Sequence, residues 1–110
     1  MRQNINTLEN GLVIIDNGRE RNTEAGRIDI TARDKQNNIV IIELKAVEAK
    51  PDVVAQILSY MEAVQNEDNL NVRGIIVACD FHNRVVLASR QIENIKLIKY
   101  SFQFNYNVIE

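Results

Sequence analysis

The sequence predicts an α/β domain: a mixed β-sheet flanked by helices, with elements in the order strand, strand, strand, helix, strand, helix, strand (βββαβαβ). Three observations predict it. Residues 26–33 and 96–108 alternate apolar and polar side chains with the period of a strand. Residues 52–65 place Val54, Ile57, Leu58, Met61 and Val64 at helical spacing behind Pro51. Val72 to Cys79 is apolar apart from Arg73 and Gly74, as a central strand covered on both faces must be.

Each element follows from local chemistry. Ile5 to Asn10 reads as a short helical turn closed by Gly11, and Leu12 to Asp16 as a short strand ended by an Asn17-Gly18 turn. Gly26 to Arg33 sets Ile28, Ile30 and Ala32 on one face and Arg27, Asp29, Thr31 and Arg33 on the other, so it predicts a half-buried strand. The polar run Asp34 to Asn38 makes a turn, and Ile39 to Lys45 returns as its hairpin partner. Pro51 suits the first turn of the following helix, and Asp52 the positive end of its dipole. His82 to Gln91 predicts the second helix, with His82 exposed or capping. Lys96 to Val108 closes the sheet with the stripe Tyr100, Phe102, Phe104 and Tyr106, suited to a core or a subunit interface.

Composition narrows the functional classes. A chain of 110 residues with 45% hydrophobic and 25% charged residues fits one globular domain spanning 1–110. No apolar run is long enough to span a bilayer and the N-terminus carries no signal core, so no membrane association and a cytoplasmic location are expected. A single cysteine and a single histidine supply neither an internal disulfide nor a Cys/His zinc set. Cys79, inside an apolar run, is expected to be a small buried hydrophobe. The net charge of -2 argues against a non-specific polyanion coat while leaving room for a local basic patch.

The hairpin carries the chemistry. Matching Ile28, Ile30 and Ala32 to Val40, Ile42 and Leu44 requires paired residue numbers to add to an even constant such as 72, and hence an odd-numbered loop or a bulge. That register faces Asp29 with Glu43 and Arg27 with Lys45; the next even register faces Asp29 with Lys45. Either way Asp29, Glu43 and Lys45 share a face. Two adjacent carboxylates repel unless a cation lies between them, and a hard divalent ion suits an all-oxygen site. A cross-strand salt-bridge cluster on a wet face is the alternative. Gln56 and Tyr60, four apart on the next helix, share a face beside its apolar stripe and can reach the edge of the cluster.

Gly26-Arg27-Ile28-Asp29, Ile42-Glu43-Leu44-Lys45, Gln56 to Tyr60 and Val72 to Val77 together resemble the PD-(D/E)XK nuclease superfamily, and within it the nuclease domain of NucS/EndoMS-type endonucleases. The resemblance runs from about Leu8 to the last strand. It implies a restriction-endonuclease-like sheet whose first helix is truncated. It also implies hydrolysis of DNA phosphodiesters with Mg2+ or Mn2+, often by homodimers, on mismatched or branched DNA. Carried over by position, Asp29 and Glu43 would bind metal with the Leu44 carbonyl as a further ligand, Lys45 would be the catalytic lysine, and Gln56 and Tyr60 would support it and the substrate phosphate. Arg19, Arg21, Arg27 and Arg73 are the candidate phosphate contacts. Two departures stand out. The acid that the family supplies from an upstream helix has no counterpart at its position, since Glu9 lies in the stub and Glu20 and Glu24 match no motif, and the family's N-terminal DNA-binding domain is not in the sequence. A nuclease-fold module that binds nucleic acid or mediates assembly without efficient cleavage is therefore the second reading.

Overall fold

The computed structural model describes residues 8–101. In chain order these form β1 (Val13–Ile14), a left-handed turn at Asp16–Gly18, β2 (Arg21–Thr23), β3 (Gly26–Ile28), β4 (Ile30–Arg33), β5 (Ile39–Lys45), α1 (Asp52–Asp68), β6 (Val72–Ala78), α2 (Asn83–Ser89) and β7 (Ile95–Lys99). The main sheet has the spatial order β1-β4-β5-β6-β7, and β2 with β3 makes a separate hairpin. Its elements follow the expected βββαβαβ order, with that small hairpin inserted after the first strand. The aromatic residues Phe102, Phe104 and Tyr106, and Ile5 to Thr7 of the expected N-terminal turn, lie outside the described residues, while Leu8 to Gly11 form a turn.

The hairpin of β4 and β5 has the expected register: Ile30 pairs with Ile42, Thr31 with Ile41, Ala32 with Val40 and Arg33 with Ile39, each pair adding to 72. Its five-residue loop is held by Asp34, whose carboxylate accepts from the N–H groups of Gln36 and Asn38 at 3.0 and 2.8 Å. The single strand expected from Gly26 to Arg33 is instead two strands, broken at Asp29. Ile28 leaves the ladder to pair with Arg21 of β2. It packs in the cluster that contains Ile39, Ile41 and Ile57, whereas Ile30 and Ala32 pack in another with Val40, Ile42, Ile75 and Val77. The break turns the chain over, so Ile28 does not share a face with Ile30, and Thr31, expected on the polar face, is fully buried.

From β5 onward the sheet is parallel, built as two strand-helix-strand units. Parallel neighbours need a crossover, and crossovers of one hand that advance in one direction put both helices on one face. Val53, Ile57, Met61 and Val64 of α1 and Val85 of α2 accordingly join one cluster. A Cβ at Gly74 of β6 would lie 2.8 Å from Ile57 Cδ1 and 3.0 Å from Met61 Sδ, so α1 packs closely over this glycine and a larger residue would have to push those side-chain ends aside. Helix α1 runs three residues past the expected Gln65 and ends at Asn69 in the left-handed conformation, whose N–H returns to the Gln65 carbonyl. His82 caps α2, its Nδ1 accepting from the Arg84 N–H at 3.1 Å. Cys79, just past the end of β6, is half-buried.

Candidate active site

The charged residues at the end of β5 stand where the antiparallel ladder has run out. The Asp34 N–H donates to the Asn38 carbonyl at 3.0 Å, which marks the even-numbered pairs as the hydrogen-bonded ones. Leu44 would next bond to Ile28, but β3 has left. The Asp29 carboxylate takes its place, accepting from the Leu44 N–H at 3.1 Å through Oδ2. Residues of a hydrogen-bonded pair aim N–H and C=O at the same partner, so the Leu44 carbonyl faces the same gap. The break at Asp29 therefore brings a carboxylate and a free strand edge together.

Glu43 and Lys45 share the α1 side of β5 with Ile39 and Ile41. The Glu43 residue is 3% exposed, with Oε1 buried and without a hydrogen-bond partner. Burial, reinforced by the neighbouring Asp29 charge, pushes its pKa up to about 7, although the Lys45 ammonium and the Asp29 backbone N–H pull it down. Lys45 Nζ lies 3.7 Å from Glu43 Oε2 and donates to Gln56 Oε1 at 3.3 Å. A lysine offers no acceptor, so the Gln56 amide must turn its oxygen to Lys45 and its nitrogen to the Tyr60 hydroxyl, 2.9 Å away. Tyr60, expected beside the apolar stripe of α1, is within it and 4% exposed, while Leu58 of the expected stripe faces outward. The buried ring fixes the hydroxyl that fixes Gln56. Gly26 completes this wall: its φ of +131° is glycine territory, and a Cβ there would lie 3.1 Å from the Tyr60 ring.

The structure thus brings together Asp29, Glu43, Lys45, Gln56 and Tyr60, the five residues expected to do the chemistry. It does not bring all the arginines. Arg73 lies with Ile75 and Val77 on the other face of β6, where its guanidinium joins Glu9 and Asp34. Arg21 forks onto Asp68, with Glu67 alongside, at the end of α1. Both are committed to carboxylates of the chain because those partners, distant in sequence, converge on them. Arg27 is exposed, with Glu20 at 3.7 Å, and Arg19 lines an open cleft of about 710 Å3 with Glu20, Arg21, Arg33 and Asp68, a cleft that neither Asp29 nor Glu43 lines. Among the described residues no third acidic, histidine or cysteine ligand joins Asp29 and Glu43. Sequence reasoning missed Tyr100, whose hydroxyl lies 3.2 Å from the carbonyls of both Lys45 and Ala46; its only signal was membership of the aromatic stripe.

This geometry agrees with what the chain is similar to. The family model described as the endonuclease NucS C-terminal domain matches residues 1–106. The chain belongs to the NucS C-terminal domain family. It is 37% identical over 76 residues to endonuclease NucS of Pyrococcus furiosus, covering 69% of this chain and 28% of that protein. With endonuclease NucS of Thermococcus kodakarensis it shares 42% identity over 60 residues, 54% of this chain and 24% of that protein. Among solved structures, a repair endonuclease from Pyrococcus abyssi superposes with a TM-score of 0.78 at 31% identity, over 89% of this chain and 42% of that one. An EndoMS–double-stranded DNA complex gives 0.77 at 28% identity, over 94% of this chain and 42% of that one. The chain spans about a quarter of the length of the curated NucS proteins it matches. No helix among the described residues is long and apolar enough to cross a membrane.

Proposed function

We propose that this chain is the catalytic module of a metal-dependent DNA endonuclease. The observation that carries the reading is Glu43: a buried carboxylate with one oxygen unpartnered, beside Asp29, at a strand edge where the ladder has stopped. An all-oxygen set of Asp29, Glu43 and the Leu44 carbonyl fits a hard divalent cation, Mg2+ or Mn2+, which needs one or two carboxylates and takes its other ligands from water and phosphate. Bound there, such an ion supplies Lewis-acid charge at the scissile phosphate. The two carboxylates hold that position. Lys45, fixed by Gln56 and through it by Tyr60, holds its ammonium where negative charge builds up on the phosphate oxygens as water attacks in line. The attacking water gives up a proton as its oxygen bonds to phosphorus, the bond to the leaving sugar oxygen breaks, and that oxygen takes up a proton, so that one water is added across the phosphodiester.

Double-stranded DNA is the substrate this reading favours, supported by the fold shared with the EndoMS–DNA complex; mismatched or branched duplexes are the forms to test, and a homodimer is the assembly to expect. The two-carboxylate count supports one competing reading, a module that binds DNA without efficient cleavage. Cleavage of plasmid and mismatched duplex with Mg2+ or Mn2+ separates them, comparing wild type with Glu43→Ala and Lys45→Ala. Cutting by wild type that both substitutions abolish supports the enzyme. Equal residual cutting by all three overturns it.

A further inference from the structure

We propose that Tyr100 is a positioning residue for Lys45, acting by pinning the end of β5; its catalytic meaning rests on the nuclease reading above. Beyond Ile42 the strand has no β4 partner, and its pairing with β6 ends at Lys45 and Ala78. The segment Glu43–Lys45 is therefore held as a ladder on one side only. Two side chains replace what is missing. Asp29 holds the Leu44 N–H from the β4 side. Tyr100 follows β7 and is itself fixed by its N–H to the Ala78 carbonyl at 3.1 Å. Its ring packs against the cluster of Ile42, Ile75 and Val77, and its hydroxyl reaches past β6 to the Lys45 and Ala46 carbonyls.

That anchor bears on chemistry because Lys45 points to the other face. Its backbone carbonyl is fixed from the Tyr100 side, while its ammonium is fixed from the α1 side by Gln56. With both ends of the residue tied, the ammonium has one position beside Glu43. Without the hydroxyl, nothing holds the Lys45 and Ala46 carbonyls from the β7 side, and past the last β6 pair only the Gln56 bond to the ammonium, at 3.3 Å, ties Lys45 down.

The test compares Tyr100→Phe, which removes only the hydroxyl, with Ile98→Val, which trims a neighbour in the same apolar cluster. Amide hydrogen exchange and cleavage kinetics are read on the full chain. The expected result is exchange of the Leu44 amide faster by about fivefold or more in Tyr100→Phe alone, with Ile41 and Ile75 unchanged, and a kcat reduced about tenfold at a KM within twofold of wild type. Unchanged Leu44 exchange in Tyr100→Phe, or an equal rise in both variants, overturns the pinning. Faster exchange with unaltered kcat overturns the role in positioning Lys45. If wild type itself does not cleave, the nuclease reading fails separately, and the exchange data alone decide whether Tyr100 pins the strand.

Discussion

Arg73 stands among Glu9 and Asp34 on one face of the sheet; Lys45 stands beside Glu43, whose other neighbour is Asp29, on the other. Both clusters set two neighbouring acids beside a basic side chain, with Lys96 adding a second cation 3.5 Å from Glu9 in the first, and the chain treats them in opposite ways. Around Arg73 the donors are plentiful: its guanidinium serves both acids, and Asp34 also accepts from Gln36 and Asn38. Both carboxylates are held below their usual pKa. For Glu9 the chief cause is the hydrogen bonding to Arg73; for Asp34 burial pushes upward and is outweighed by Asn38 and Arg73. Around Lys45 the donors are too few, half of the base's contacts go to Gln56, and burial drives Glu43 up to about 7. A network that closes on itself stabilises the fold. One left short of positive charge is a place where a ligand can supply it.

The sharpest way to break this contrast is to remove each base. Lys45→Ala is expected to lower the cleavage rate by about 100-fold or more, in line with the loss of a group acting on the transition state. Arg73→Met should leave that rate within about threefold, measured with protein confirmed folded by circular dichroism. Stability should respond the other way. Arg73→Met leaves the buried Asp34 without its cation and Glu9 with Lys96 alone, and is expected to cost about 2 to 3 kcal/mol in urea unfolding, whereas Lys45→Ala, whose side chain is 32% exposed, should cost little.

Glu43→Gln sharpens the comparison through pH. A carboxyl whose folded pKa is raised binds its proton more tightly in the folded state, so its contribution is complete below the ordinary glutamate range and lost as pH rises through about 7. In metal-free buffer at pH 8, Glu43→Gln should therefore be more stable than wild type by about 1 to 2 kcal/mol, and the gap should shrink as pH falls through 7 and close once pH is below the ordinary glutamate value of 4.5. Adding Mn2+ at pH 8 should raise the wild-type Tm and leave that of Glu43→Gln nearly unmoved. A wild-type Tm insensitive to Mn2+ would remove the metal from the site.

The same contrast explains what the sequence could reveal. The hairpin register was legible because strand side chains alternate with period two, and a slip of one residue would have buried Arg33 against Val40. The meeting of Asp29, Glu43 and Lys45 followed from it. The break at Asp29 was not legible: Ile28, Ile30 and Ala32 continue the alternation straight through it, and only competition between a carboxylate and a backbone carbonyl for the Leu44 N–H decides the matter. The burial of Tyr60 depended on β3 and Gly26 arriving over α1. The fate of Arg73 depended on a carboxylate 64 residues away, which no local pattern encodes. Local periodicity placed the acids; tertiary packing decided which charges were left unpaired.

The smallest expected effect tests the satisfied cluster from the acid side. Asp34 has a depressed folded pKa, so its contribution is present above the ordinary aspartate range and lost as pH falls through the folded value. Asp34→Asn keeps the size of the side chain and loses the charge that faces Arg73 at 3.0 Å. At neutral pH it should cost about 1 kcal/mol or somewhat more, the worth of a charge-assisted hydrogen bond. Because Asn cannot protonate, the gap to wild type should narrow steadily as pH is lowered through the acid range, read as converging Tm values. Glu43→Gln starts on the opposite side of wild type at high pH, and its gap begins to shrink near pH 7, well above the aspartate range. Two acid-to-amide substitutions in one small sheet should thus give stability curves of opposite sign, which they can do only if one carboxylate is over-supplied with donors and the other is starved of them.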